Sequence, residues 1–296
     1  MVRRKSRQLR ASARPQVIDA GDGVRLYGVY NPAASGDSAP LVILLHGWEG
    51  CSESSYLLSA AQALHSQGYG VFRLNFRDHG ESHHLNEALF NSTRLKEVAN
   101  AVESIREQFD ARQFLLGGFS LGGNFAIRIA ARLAATSAPL DRVAAICPLI
   151  SPPDTTLDIE NGFWLYHAYF MYRWKGSLAK KLALFPDYDY GHALRQSKTL
   201  TELNAYFVPN HTDFSEPADY LRAYAIDRQT LERASGSLHI LAAADDPIVR
   251  TQYLQGLGDV EGVAIDIQRY GGHCGFIKDL GFASYADDWL VKTFGS

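Results

Sequence analysis

Apolar positions along the chain fall into two alternating rhythms. Short continuous runs, rich in β-branched and aromatic residues, occur at Leu41–Leu45, Val71–Phe76, Phe114–Phe119, Val143–Ile150, Leu238–Ala244 and Val263–Tyr270. Runs without polar alternation predict strands buried on both faces, as in a parallel sheet covered by helices. Between them, apolar residues recur at helical spacing near Tyr56–Ser66, Thr93–Phe109, Leu121–Ala134 and Thr251–Leu257, and again at Tyr285–Phe294. Val17–Ala20 and Val24–Tyr30 flank Gly21-Asp22-Gly23, which predicts a β-hairpin with a turn at positive φ. The alternation as a whole predicts an α/β architecture with a mostly parallel sheet.

One interval breaks the rhythm. The stretch between Ile150 and Leu238 is far longer than an ordinary connection between helix and strand. It holds a dense set of aromatics, among them Phe163, Trp164, Tyr166, Tyr169, Phe170, Tyr172 and Trp174. Most of these are expected to pack the insertion's own helices, and a few to line an apolar pocket. The expected organisation is a basic, flexible tail over 1–14, an α/β core over 15–150 and 236–296, and a helical lid over 151–235.

Composition narrows the class. Of the 296 residues, 46% are hydrophobic and 21% charged, which suits a globular chain and excludes wholesale disorder. No apolar run is long enough for a membrane span. The net charge is −3, yet six basic residues (Arg3, Arg4, Lys5, Arg7, Arg10, Arg14) sit in the first 14 positions, so the remainder is distinctly acidic. An acidic body argues against a nucleic-acid partner. The basic start lacks the apolar run of a secretory signal. Cys51, Cys147 and Cys274 form neither a disulfide framework nor a metal-ligand spacing. The expected compartment is the cytoplasm.

The sharpest chemical signal is Gly118-Phe119-Ser120-Leu121-Gly122. G-x-S-x-G places a nucleophilic serine on a tight strand-to-helix turn, and here a strand run precedes it and a helical pattern follows. A serine hydroxyl needs a base, and the base needs a carboxylate to orient it. In this setting the chain order is Ser, acid, His. The run Leu238–Ala244 ends in Asp245-Asp246-Pro247, and Val263–Tyr270 ends in Gly271-Gly272-His273. Acids at strand ends face the crevice where α/β sheets bind ligands. Asp246 is the preferred acid; Asp245, if not the orienting carboxylate, would cap a helix or brace backbone. The oxyanion donors are expected to be the backbone N–H of Leu121 and that of Trp48, in the loop His46-Gly47-Trp48-Glu49-Gly50. Trp164, Phe170 and Trp174 are the candidate pocket aromatics. The His79, His83 and His84 loop offers zinc-type ligands, but its spacing fits no known signature, so no metal and no cofactor are expected.

The segments LLHGWEG, GGFSLGGN, AADDPIV and YGGHCGF together resemble the α/β-hydrolase superfamily. HGWEGCSESSY, GGHCGF and YFVPNHTDFSEPADYL resemble its YheT-like branch, esterases related to the AB-hydrolase domain-containing lipases. The resemblance covers residues 17–294. It implies an α/β-hydrolase fold with a lid, a triad of Ser120, Asp246 and His273, and Trp48 with Leu121 as oxyanion pair. It departs from the branch at Cys51, where serine is common, and at Arg77-Asp78-His79-Gly80, where many members carry an R-G-C-type loop. The membrane anchor of animal relatives is not expected here. The implied activity is hydrolysis of small-molecule carboxylic esters with apolar short-to-medium acyl groups through an acyl-enzyme on Ser120. Two other readings stay open: an acyltransferase or thioesterase with the same triad, and a non-catalytic binding protein.

Overall fold

The computed structural model describes residues 7–36, 38–136 and 139–295; positions 1–6 of the expected tail lie outside them. The chain runs α1 (Arg7–Ala11), β1 (Arg14–Asp19), β2 (Arg25–Asn31), β3 (Leu41–Leu45), α2 (Ser55–Ser66), β4 (Gly70–Leu74), α3 (Leu95–Gln108), β5 (Phe114–Phe119), α4 (Leu121–Leu133) and β6 (Arg142–Ile146). Six helices follow: α5 (Pro152–Asn161), α6 (Trp164–Leu184), α7 (Gly191–Gln196), α8 (Leu200–His211), α9 (Pro217–Ala223) and α10 (Arg228–Ala234). β7 (Leu238–Ala243), α11 (Thr251–Gln255), β8 (Ala264–Gln268) and α12 (Tyr285–Gly295) complete it.

The eight strands form one sheet in the order β1-β2-β4-β3-β5-β6-β7-β8. β1 and β2 pair antiparallel, β2 meets β4 antiparallel, and every pairing from β4 through β8 is parallel. Strand alternation splits the core in two. Leu41, Ile43 and Leu45 pack with α3 and α4 on one face, while Val42 and Leu44 pack with α2 and α12 on the other. The β1–β2 turn has the predicted backbone, with Gly21, Asp22 and Gly23 all at positive φ.

Four expectations need correction. Residues 7–14 are no solvated tail: Leu9 is buried, Asn31 Nδ2 donates to its carbonyl, and Arg10 pairs with Glu53. The run Val143–Ile150 is strand only as far as Ile146, because Cys147 turns to φ 43° and Pro148 follows. β8 is not covered on both faces; as the edge strand it leaves Ile265 and Ile267 exposed. Finally, Leu231 and Ala234 of α10 pack into the core cluster that holds α4. That helix is the crossover from β6 to β7, so the cap proper ends before residue 228.

The cap is latched to the core by buried charge. Lys181 on α6 is 1% exposed and holds Asp78 Oδ1 at 2.8 Å. Its other protons go to the carbonyls of His83 and Asn86, and Asp78 Oδ2 accepts from the Phe90 N–H. Arg173, also on α6, donates to the Glu49 carbonyl. Removing one partner of a buried pair strands the other charge, at a cost of about 3–5 kcal/mol. Lys181→Met is therefore expected to lose stability on that scale in urea denaturation, and Asp78→Asn/Lys181→Met to recover most of it. Equal losses in the single and double variants would contradict the latch.

Candidate active site

β5 delivers Ser120 to the end of the sheet and α4 begins at the next residue. Ser120 takes φ 53° and ψ −117°, a region that L side chains seldom occupy and that sites hold only when surrounding structure enforces it. The enforcing structure is backbone. The Ser120 N–H donates to the Ile146 carbonyl, and the Ser120 carbonyl accepts from Leu149 and Asn124. The motif's glycines are steric necessities: a Cβ on Gly118 would lie 2.1 Å from the Gly122 carbonyl oxygen, and one on Gly122 2.5 Å from those of Leu45 and His46.

The three triad candidates, far apart in sequence, meet here. Ser120 Oγ lies 3.0 Å from His273 Nε2, and His273 Nδ1 lies 2.9 Å from Asp246 Oδ2. Asp246 is buried, and its Oδ1 accepts from the N–H groups of Ile248 and Val249. Burial works to raise its pKa, but His273 and these two donors outweigh it and hold the carboxyl below its ordinary value. With Asp246 ionised, Nδ1 is the protonated nitrogen and Nε2 is free to accept from the serine. For His273 burial opposes the cation, while the Cys274 sulfur and Asp246 favour it and raise the pKa well above the usual value.

Asp245 points elsewhere. Its Oδ1 accepts from both Gly271 and Gly272 N–H groups, bracing the turn that carries His273. The adjacent acids thus divide into one that faces the imidazole and one that holds its loop.

Trp48 and Leu121 flank the serine in the wall of a cleft of about 740 Å³. Neither backbone N–H has an acceptor among the described residues, so both are available to a ligand oxygen. The cleft is mainly apolar, lined by Leu149, Ile159, Phe170, Trp174 and Ile248, with Trp48 stacked on Phe170 and edge-on to Trp174. Trp164 does not belong: it is 66% exposed and lines no part of the cleft. It stands at the start of α6, and helical spacing turns Phe170 and Trp174 inward instead.

The histidine loop does not converge. His79 Nδ1 bonds the Arg77 carbonyl, His83 bonds Ser177 on α6, and His84 is exposed. Its neighbour Asp78 carries the cap latch. Sequence reasoning also missed Tyr56, Asn124 and Glu49. Tyr56 Oη accepts from the Gly47 N–H, and Asn124 ties Leu149 to Tyr224 through their carbonyls. Glu49 beside Trp48 is buried at φ 56°, and burial, resisted by Arg173 and aided by Asp78, pushes its pKa up to about 8. The only signal for any of them was closeness to a motif.

The profile of the alpha/beta hydrolase fold family matches residues 40–259. The chain belongs to that family. It is similar to YheT of Escherichia coli (strain K12), which carries "esterase" in its name, with 24% identity over 282 residues, 92% of this chain and 82% of YheT. Among solved structures, the esterase Pf2001 of Pyrococcus furiosus is 15% identical with a TM-score of 0.60, covering 95% of this chain and 89% of that one. Est1E from Butyrivibrio proteoclasticus, with ferulic acid bound, is 14% identical with a TM-score of 0.63, covering 95% and 100%. At these identities the structures show a shared fold. Among the described residues, no helix is long and apolar enough to cross a membrane.

Two reactivity outcomes follow from the geometry. Asp246→Asn should slow fluorophosphonate labelling of Ser120 by orders of magnitude, since an amide favours the wrong imidazole tautomer. Asp245→Asn, whose amide oxygen still accepts from Gly271 and Gly272, should stay within about tenfold; the reverse order would reassign the acid. The labelling needs a neutral imidazole, and His273 holds its proton more tightly than usual. The acid limb of the labelling rate should thus lie above the ordinary value of 6.5, and a limb below it would contradict the assigned surroundings.

Proposed function

We propose that the protein is a serine carboxylic ester hydrolase that works through an acyl-enzyme on Ser120. The observation that carries this reading is the unbroken hydrogen-bond chain from Ser120 Oγ through His273 to Asp246 at the mouth of an apolar cleft. His273 Nε2 takes the serine proton as Oγ bonds to the ester carbonyl carbon. The carbonyl oxygen becomes an oxyanion between the N–H groups of Trp48 and Leu121, where fixed donors are worth most. On collapse, the alcohol leaves with the proton from Nε2. A water then repeats the sequence, releasing the carboxylic acid and restoring the serine. Asp246 keeps the imidazole oriented and stabilises its charged form throughout. None of these steps calls on a metal or a cofactor.

The cleft argues for an apolar acyl group. Trp48, Phe170 and Trp174 give it aromatic walls, and a methylene moved from water to such walls is worth about 0.8 kcal/mol. Its lining also holds polar groups, among them the Thr155 hydroxyl oxygen, buried without a partner, and Asn204, nearly buried.

Ser120→Ala should abolish ester turnover in the purified, folded protein; turnover within about tenfold of wild type would remove Ser120 from the mechanism. Across an acyl series, kcat/KM should rise from acetyl towards hexanoyl, by at most about 200-fold for four methylenes, and then fall. Phe170→Ala and Trp174→Ala should shift that optimum to longer chains and leave acetyl turnover within a few-fold. A preference for acetyl or for charged acyl groups throughout would contradict the apolar assignment. Adding an alcohol and looking for a new ester separates hydrolysis from acyl transfer.

A further inference from the structure

Behind the His273 ring lies a set of groups that ester hydrolysis does not use. Cys147 follows the last residue of β6 and Cys274 follows His273; both thiols are buried. The two sulfurs and one ring nitrogen of His273 all lie within 4.8 Å of one another. The thiols interact with each other and Cys274 with His273; to backbone each makes a long contact, Cys147 to the Gly272 carbonyl at 3.9 Å and Cys274 to that of Ile146 at 3.8 Å. A second pocket, open to solvent, reaches Cys274 between Tyr56, Phe119, Ile277 and Phe282. It shares no lining residue with the ester cleft, so Cys274 has an approach of its own.

We propose that Cys147, Cys274 and His273 form a binding site for a thiophilic divalent cation of the Zn²⁺ type, and that its occupation shuts off the active site. Two thiolates and an imidazole are a zinc ligand set, and with bonds of about 2.3 Å to sulfur and 2.0 Å to nitrogen a tetrahedral ion sets its ligands roughly 3.6–3.8 Å apart. The observed spread of up to 4.8 Å needs shifts of about an ångström to close on the ion. Binding releases two protons to solvent, one from Cys147 and one from the Cys274–His273 pair, and transfers no electrons. The charges of cation and thiolates then cancel, and water or Asp246 completes the coordination.

Inhibition follows whichever ring nitrogen serves as ligand. If Nε2 binds the ion, its lone pair is lost to Ser120. If Nδ1 binds it, the ring's proton moves to Nε2, which can no longer accept. Only the inhibitory consequence rests on the serine-hydrolase reading; the binding does not.

The test is a Co²⁺ titration of the reduced full-length protein, read by thiolate-to-metal absorption, beside a Zn²⁺ titration of ester turnover. One equivalent of Co²⁺ should produce the thiolate band, Zn²⁺ should displace it, and Cys147→Ala should lose it. Zn²⁺ near stoichiometry should stop turnover and a chelator should restore it. Cys147→Ala and Cys274→Ala should each need about 100-fold more Zn²⁺ for half-inhibition. No thiolate band in the wild-type protein would overturn the site, and that measurement decides even if both variants fail to fold. A band with turnover untouched, or equal Zn²⁺ sensitivity in all three proteins, would overturn the inhibition.

Discussion

The turn from β5 into α4 is in such close backbone contact, Gly118 against Gly122 and Gly122 against Leu45 and His46, that neither glycine has room for a side-chain carbon. This contact forces the intervening residue into the left-handed region, with Ser120 at φ 53°. The hydroxyl is thereby lifted off the helix and presented at the end of the sheet. The neighbouring strands register on the same point: β3 ends at the loop bearing Trp48, β6 receives the Ser120 N–H at Ile146, and β7 leads into the loop bearing Asp246. A larger residue at either glycine would move the serine relative to all of them. The strain at Ser120 is affordable because three backbone hydrogen bonds, to Ile146, Leu149 and Asn124, hold the turn from both sides.

The sheet, the hairpin and the meeting of Ser120 with His273 were legible because each rests on a local rule: β-rich runs, a glycine turn, a serine between glycines. The division of labour between Asp245 and Asp246 was not, since both stand at the same strand end. Only the direction of each carboxylate, one to His273 and one to the Gly271–Gly272 turn, separates them. The role of Asp78 was hidden for a different reason. It depends on Lys181, a hundred residues away, whose burial no helical periodicity announces. Trp164 was misplaced because aromatic richness names a helix but not which of its faces turns inward. The extent of strand β6 was overread because a run of apolar residues conceals the turn at Cys147.

Cap and core act together in the cleft. The core supplies the polar atoms near the serine, and the cap supplies the aromatic wall through Phe170 and Trp174. Lys181 and Arg173 fix α6 on the loops that carry Asp78 and Glu49, so the wall and the Trp48 N–H are held by one helix. A change in that helix is thus expected to reach both the cleft wall and the N–H groups proposed as oxyanion donors, which are coupled through contact rather than independent.

The acyl-enzyme is the central claim, and trapping it is the most direct test. An activated ester mixed with the protein, quenched in acid within the first turnovers and digested, should leave the mass of its acyl group on the peptide that carries Ser120. That mass should be absent when His273 is replaced by alanine. Acyl mass on another residue, Cys274 included, or ester turnover with no covalent species at any time point, would contradict the account.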